Sequence, residues 1–298
     1  MARLAKSAQT FLQTQARPLE QALYAYHFQS GSADAVLVEL TKFQNDDGGF
    51  GNALEPDLRL PASSVIATTV ALQTLTELNV DSGNLLVQGA MRYLLDNYDS
   101  KNKAWPISPP NTQDAPCAPW WDDPAGFNWL SNPRPEIVGY LFTYPDLDTT
   151  DLRNELIKPL VSLLESQPNE IEMHELLCYL RLFKTESLPQ TLHDRMLLKL
   201  KSVLQATVAI DPADWEGYGL QPLAVVSNPN SPFAAMFSES LEQNLDFIIN
   251  KQSENGAWLP PWSWEDRFPE EWEIAKIQWA GYITLNNLKT LRNFDRLE

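Results

Sequence analysis

The segment Gln44-Asn45-Asp46-Asp47-Gly48-Gly49-Phe50 returns near the other end of the chain as Gln252-Ser253-Glu254-Asn255-Gly256-Ala257-Trp258. The two copies share a Gln (44 and 252), an acid (46 and 254), a Gly (48 and 256) and an aromatic (50 and 258). Each follows an apolar run with helical spacing, residues 36–40 and 245–249, and each precedes another, residues 67–78 and 280–291. A weaker copy, Asp99-Ser100-Lys101-Asn102-Lys103-Ala104-Trp105, follows residues 91–95; it keeps the Ser, Asn, Ala and Trp of the last copy and lacks its Gln and Gly. Self-similarity on this scale restricts the chain to a stack of repeated helical units. The expected unit is a helix-turn-helix staple. Gly48 turns the chain where a Cβ would clash, the Gln bonds free backbone groups near the helix end, and the aromatic folds back onto apolar surface.

Gln-x-x-x-Gly-x-aromatic after an apolar helix resembles the QW repeat of squalene–hopene cyclases, the class II terpene cyclases. The Asp47-Gly48-Gly49-Phe50 form resembles the repeat of protein prenyltransferase β subunits. The resemblance covers residues 36–78 and 245–291, and more weakly 91–141. It implies one α/α toroid over residues 1–298, a ring of about five to six helical hairpins with its long loops on one face. It also implies isoprenoid or terpenoid chemistry in a central cavity. The catalytic signatures of those families do not carry over. There is no Asp-x-Asp-Asp, no Asp-Asp-x-x-Asp, and neither Cys117 nor Cys178 has a metal ligand at suitable spacing.

Composition narrows the partners. The formal net charge of −17, spread along the chain, opposes nucleic acid and anionic membranes, which need clustered Lys and Arg. No run approaches the apolar length of a membrane span, and the opening residues lack the apolar core of a secretory signal, so a cytoplasmic protein is expected. Cys117 and Cys178 lack redox spacing, and no Gly-rich phosphate loop or nucleophile elbow occurs; neither metal nor cofactor is implied. Helical periodicity runs through residues 33–44, 63–79, 84–97, 133–143, 151–166, 170–183, 190–207, 233–251 and 272–295, after an amphipathic start over 3–28 broken at Pro18. Residues 203–210 are better read as a helix end than as a strand. The expected class is all-α.

Three long loops hold the candidate chemistry: residues 51–62, 104–135 and 257–272. Loops of this length in a compact domain are commonly functional, and aromatic-rich segments are seldom disordered. Eight of the ten tryptophans lie in the second and third loops or at their edges, which makes an aromatic-lined binding surface the leading functional expectation. If outer-to-inner loops gather at one end of a ring, Glu55, Asp57 and Arg59 share a mouth with Trp120, Trp121, Asp122 and Asp123 and with Trp262, Trp264, Glu265 and Asp266. Asp57, Glu55 and Asp122 are the expected acid–base groups, and Arg59, Trp120, Trp121, Trp262, Trp264 and Glu265 the expected binding residues. The structural alternatives are an Asp57 turn cap with an Arg59 ion pair, and an aromatic plug at one end of the ring. Asn132 is expected to cap the helix that follows it. His174, between Met173 and Glu175 on an amphipathic run, reads as a surface residue unless its helix lies on the inner layer.

Three functions remain open on sequence grounds. The first is an isoprenoid-type enzyme with a non-standard acid in a tryptophan-lined cavity. The second is a carbohydrate-active enzyme with paired carboxylates, and the third a toroid that binds without chemistry. The implied partner is a small molecule, isoprenoid or sugar.

Overall fold

A computed structural model describes residues 2–122 and 128–297, so Asp123 lies outside the described residues. Twelve α-helices run through them, with isolated β-bridges but no extended strand. They are α1 (Ala2–Thr14), α2 (Pro18–Phe28), α3 (Ala33–Thr41), α4 (Val65–Glu77), α5 (Leu85–Asp96) and α6 (Arg134–Thr143). The remainder are α7 (Leu152–Ser166), α8 (Met173–Phe183), α9 (Gln190–Thr207), α10 (Pro222–Val225), α11 (Ser238–Asn250) and α12 (Pro269–Asn293). The all-α expectation holds, and none of these helices is long and apolar enough to cross a membrane.

Local chemistry sets many of the boundaries. Pro18 opens α2, where its missing N–H costs nothing. Ser32, Ser64 and Asn84 cap α3, α4 and α5 by accepting from Ala35, Ala67 and Leu86 N–H. Glu172 caps α8 through the N–H groups of His174 and Glu175. Residues 203–207 complete α9, as expected of a helix end. Asn132 does not cap α6: Pro133 holds that position without a side-chain cap, and Asn132 is buried with its Oδ1 turned to the Cys178 thiol. Once the loop carries it inside, Asn132 serves a neighbouring helix and not its own.

The chain forms two compact units. A discontinuous unit comprises residues 1–42 and 208–298, and a continuous unit comprises residues 43–207.

In the continuous unit, Gln44 Nε2 donates to Gly48 O at 2.9 Å and to Leu86 O, in the first turn of α5, at 3.2 Å. Asn45 N–H donates to Gly49 O at 2.9 Å, and Phe50 N–H to the Thr68 hydroxyl of α4 at 3.0 Å. Gly48 has φ +86°, and a Cβ there would sit 2.6 Å from the Gly89 carbonyl of α5. Phe50 is fully buried. The weaker copy closes its turn by paired Asp99 and Ala104 backbone bonds, and Trp105 Nε1 donates to Leu94 O at 2.6 Å. Inner contacts join α6 to α8 and α7, and α9 to α7 and α8.

In the discontinuous unit the same turn is rebuilt with other residues. Gln252 Nε2 donates to Gly256 O at 2.9 Å and to Leu4 O, in the first turn of α1, at 3.0 Å. Ser253 N–H donates to Ala257 O at 2.9 Å, and Trp258 N–H to the Thr284 hydroxyl of α12 at 3.0 Å. Gly256 has φ +92°, and a Cβ there would meet the Ser7 backbone at 2.3 Å. Trp258 Nε1 donates to Ile248 O at 2.7 Å, the counterpart of the Trp105 bond. The glutamine thus reaches past its own helix end to the opening turn of another helix, where each carbonyl still has a second lone pair to offer. Here α12 packs on α1 and α2, and α2 on α3.

Candidate functional site

Within the continuous unit the loop before α4 and the loop before α6 lie side by side. Ala118 N–H donates to Asp57 O at 2.8 Å, and Arg59 N–H to Pro116 O at 3.1 Å, with Leu58 bridged antiparallel to Cys117. This brings Glu55, Asp57 and Arg59 onto one backbone pair with the segment that carries Trp120, Trp121 and Asp122. Glu55 and Asp57 are buried, at 6% and 2% exposure, and Glu55 Oε1 accepts from Asp57 N–H at 3.3 Å. Arg59 is half-buried, and its Nη1 lies 3.5 Å from Pro56 O. The Cys117 thiol, also buried, donates to Asp122 Oδ1 at 3.4 Å and to Thr112 O at 3.7 Å. Trp121 is buried, while Trp120 is 37% exposed. Leu54, Leu58 and Leu60 are buried along the same segment.

Trp262, Trp264 and Glu265 belong to the discontinuous unit. Trp264 is buried and packs edge-to-face on Trp272 at 5.5 Å and on Phe268 at 6.4 Å. Trp262 is half-buried and meets Tyr218 at 5.3 Å and Trp279 at 5.1 Å, both nearly perpendicular. Glu265 is exposed.

Two further clusters lie in the continuous unit; the first went unread in the sequence, and His174 of the second, expected at the surface, has a side chain 45% exposed. Glu136 of α6 is buried and accepts from four side chains on three helices. Its Oε1 takes Gln73 Nε2 of α4 at 2.8 Å and the Tyr140 hydroxyl at 2.5 Å. Its Oε2 takes Arg181 Nη1 at 3.0 Å and the Cys178 thiol at 3.8 Å, both from α8. Burial and then the Glu136 charge hold the Tyr140 hydroxyl well above its ordinary pKa, and the same two causes push the Cys178 thiol up. A carboxylate this fully engaged is a brace, and it fixes where α6 and α8 stand.

The second cluster opens α8. Glu172 Oε2 accepts from His174 N–H at 2.8 Å and from Glu175 N–H at 3.1 Å, while its Oε1 pairs with His174 Nδ1 at 2.6 Å. Burial raises the Glu172 pKa, but the His174 bond and charge and the backbone donors outweigh it, and the net shift is downward. Burial shifts Glu175 the other way, upward, against bonds from Ser131 and Asn128. One turn further, burial takes the Tyr179 hydroxyl up to about 12. The two carboxyl groups, three residues apart, are shifted in opposite directions, Glu172 by its partners and Glu175 by burial. The readable signal was the acid–His–acid spacing of Glu172, His174 and Glu175. No family model, curated protein or solved structure matches the chain.

Proposed function

We propose that this protein is a small-molecule enzyme on the α/α-toroid plan, with acid–base groups on the paired segments 54–60 and 116–122. The toroid reading, and with it the resemblance to QW-repeat cyclases and prenyltransferase β subunits, is supported by the docking of the repeat turns. The turn at 44–50 seats on the first turn of α5, and the turn at 252–258 on the first turn of α1.

The observation that carries the enzymatic reading is the pair of buried carboxyls, Glu55 and Asp57, on a segment bonded to the one holding Asp122. Carboxyls held on paired backbone segments are positioned as general acids and bases are. Asp57 is assigned as proton donor, Glu55 as its partner, and Asp122, held by the Cys117 thiol of its own loop, as the carboxylate of the second segment. A chain of net charge −17 suits a neutral substrate better than a diphosphate. An oligosaccharide fits best, because the exposed indole of Trp120 offers a stacking face while hydroxyls stay hydrated. A neutral isoprenoid is the second reading, favoured by the buried Leu54, Leu58, Leu60 and Trp121 on the same two segments.

The test is turnover of a panel of 4-nitrophenyl glycosides and of squalene by wild type, Asp57→Asn and Glu55→Gln, with circular dichroism on each variant. Asp57→Asn is expected to remain folded and to lose activity by at least about 100-fold. Unimpaired turnover in that variant removes Asp57 from the chemistry. Loss of the fold makes the segment a structural clamp.

A further inference from the structure

We infer that the discontinuous unit carries a sugar-stacking platform built from Tyr218, Trp262, Trp279 and Tyr282, which takes the apolar ring faces of a neutral oligosaccharide. Its ligand class rests on the carbohydrate reading above, but its residues are different ones.

The four rings come from three parts of the sequence and meet in series. Tyr218 touches Trp262 at 5.3 Å and 73°, Trp262 touches Trp279 at 5.1 Å and 81°, and Trp279 touches Tyr282 at 5.6 Å and 85°. Each pair is nearly perpendicular, the edge-to-face class of arrangement that ring quadrupoles favour. Ring contacts fix the Trp279 indole, because its Nε1 is buried with no hydrogen-bond partner among the described residues. The ends of the series are open to solvent: Tyr218 is 54% exposed and Tyr282 40%. Ile274, two turns before Tyr282 on α12, is also exposed. A Cβ added at Gly217, beside Tyr218, would meet nothing within 4 Å, so the approach on that side is clear.

The geometry selects among occupants. A cation held by an aromatic cage needs a gap between facing rings. Here neighbouring centroids stand 5.1 to 5.6 Å apart and the rings are already in contact. A hydrocarbon gains by enclosure, which a platform with 54% and 40% exposed ends does not give it. Phosphates and other polyanions meet exposed Glu265 and Asp266 on the loop that supplies Trp262, while Glu216, beside Tyr218, is paired with Lys251. Those carboxylates are good acceptors for sugar hydroxyls. A pyranose matches both features, with a C–H face for the rings and a hydroxyl rim for the acids and water.

The experiment titrates hexasaccharides of glucose, xylose, mannose and N-acetylglucosamine into wild type, Tyr218→Ala and Tyr282→Ala, reading tryptophan emission and the heat of binding. At least one sugar should bind saturably to wild type. Tyr218→Ala and Tyr282→Ala, at exposed positions that keep the fold, should each weaken it by about tenfold. Absence of saturable binding to all four sugars overturns the platform, as does unchanged affinity in both tyrosine variants. If the platform fails while wild type still cleaves glycosides in an Asp57-dependent way, the enzymatic reading survives it. If neither binding nor cleavage occurs, the carbohydrate class falls for both.

Discussion

Replacing Glu136 by alanine removes the acceptor on which α4, α6 and α8 converge. The Glu136 side chain is 2% exposed and its partner Arg181 36%, so water recovers part of the guanidinium charge when the pair is broken. Removing one member of a buried pair costs about 3–5 kcal/mol, and the half-open arginine places this case near the lower end, at about 3 kcal/mol. Gln73 loses its acceptor in the same step, at roughly 1 kcal/mol when left unmet, while the Tyr140 hydroxyl still reaches Thr69 O at 3.3 Å. For a unit spanning residues 43–207, about 3–4 kcal/mol corresponds to a melting temperature lowered by roughly 6–16 °C. Glu136→Gln keeps an oxygen for Tyr140 and Gln73 but sets an amide N–H against Arg181. Its cost should be about half that of alanine. Urea unfolding followed by circular dichroism gives both values, and a double-mutant cycle with Arg181→Ala isolates the pair, with a coupling of at least about 1 kcal/mol. The brace is refuted if Glu136→Ala costs under about 1 kcal/mol, or if the two substitutions cost the same.

The repeat turns give a matched set: Gly48→Ala and Gly256→Ala should each cost about 2 kcal/mol or more, from positive φ and a Cβ pressed on a neighbouring helix backbone. Gly217→Ala should stay within about 0.5 kcal/mol, and equal urea midpoints for all three would refute the reading of the turn. Because burial raises the Glu175 pKa in the folded state, its ionisation opposes folding above that raised pKa. Glu175→Gln should therefore raise the melting temperature at neutral pH. The advantage should disappear as pH falls through the raised value to the ordinary one of about 4.3, and a constant advantage across that range would exclude titration as its cause. Glu172 behaves oppositely: its lowered pKa gives stability above the ordinary value that is lost as pH falls through the folded one, so Glu172→Gln should destabilise only above that window. Both thiols engage protein oxygens, Cys117 with Thr112 and Asp122 and Cys178 with Asn132 and Glu136. A chelator is expected to leave the melting temperature unchanged, and a lowered melt would identify a structural metal.

The repeat was legible because its residues act within a few positions of one another. Gln44 to Gly48 and Gln252 to Gly256 are four-residue contacts, and the apolar spacing on either side marks α3, α4, α11 and α12. What those glutamines hold at their other bond, Leu86 and Leu4, depends on how helices stack and leaves no local trace. The pairing of 55–59 with 116–118 was hidden for the same reason, although the proline- and tryptophan-rich loops pointed to both partners. Burial of Asp57 was unexpected for a loop carboxylate: the segment is held down by backbone bonds to a distant loop. Glu136 meets Gln73, Cys178 and Arg181 across 63, 42 and 45 residues, beyond any local pattern. One hint did exist. The sequence of α6 is apolar on every side around Glu136, and a helix buried all round must pair its only carboxylate.

The seat of the 252–258 turn on α1 also sets an order of events during synthesis. Gln44 closes a span of 42 residues to reach Leu86, whereas Gln252 closes 248 to reach Leu4. By loop-closure entropy the longer span is dearer by about 1.6 kcal/mol for the same bonds. As the chain leaves the ribosome, the first turn meets its helix early, while α1 must wait for a partner made some 240 residues later. Throughout that interval the backbone of Ser7 and Ala8, which Gly256 will cover, stays open to water and to other chains. A chain that stops short of residue 252 keeps α1 in that state, and incomplete products are thereby marked for aggregation or proteolysis in a way the finished one is not.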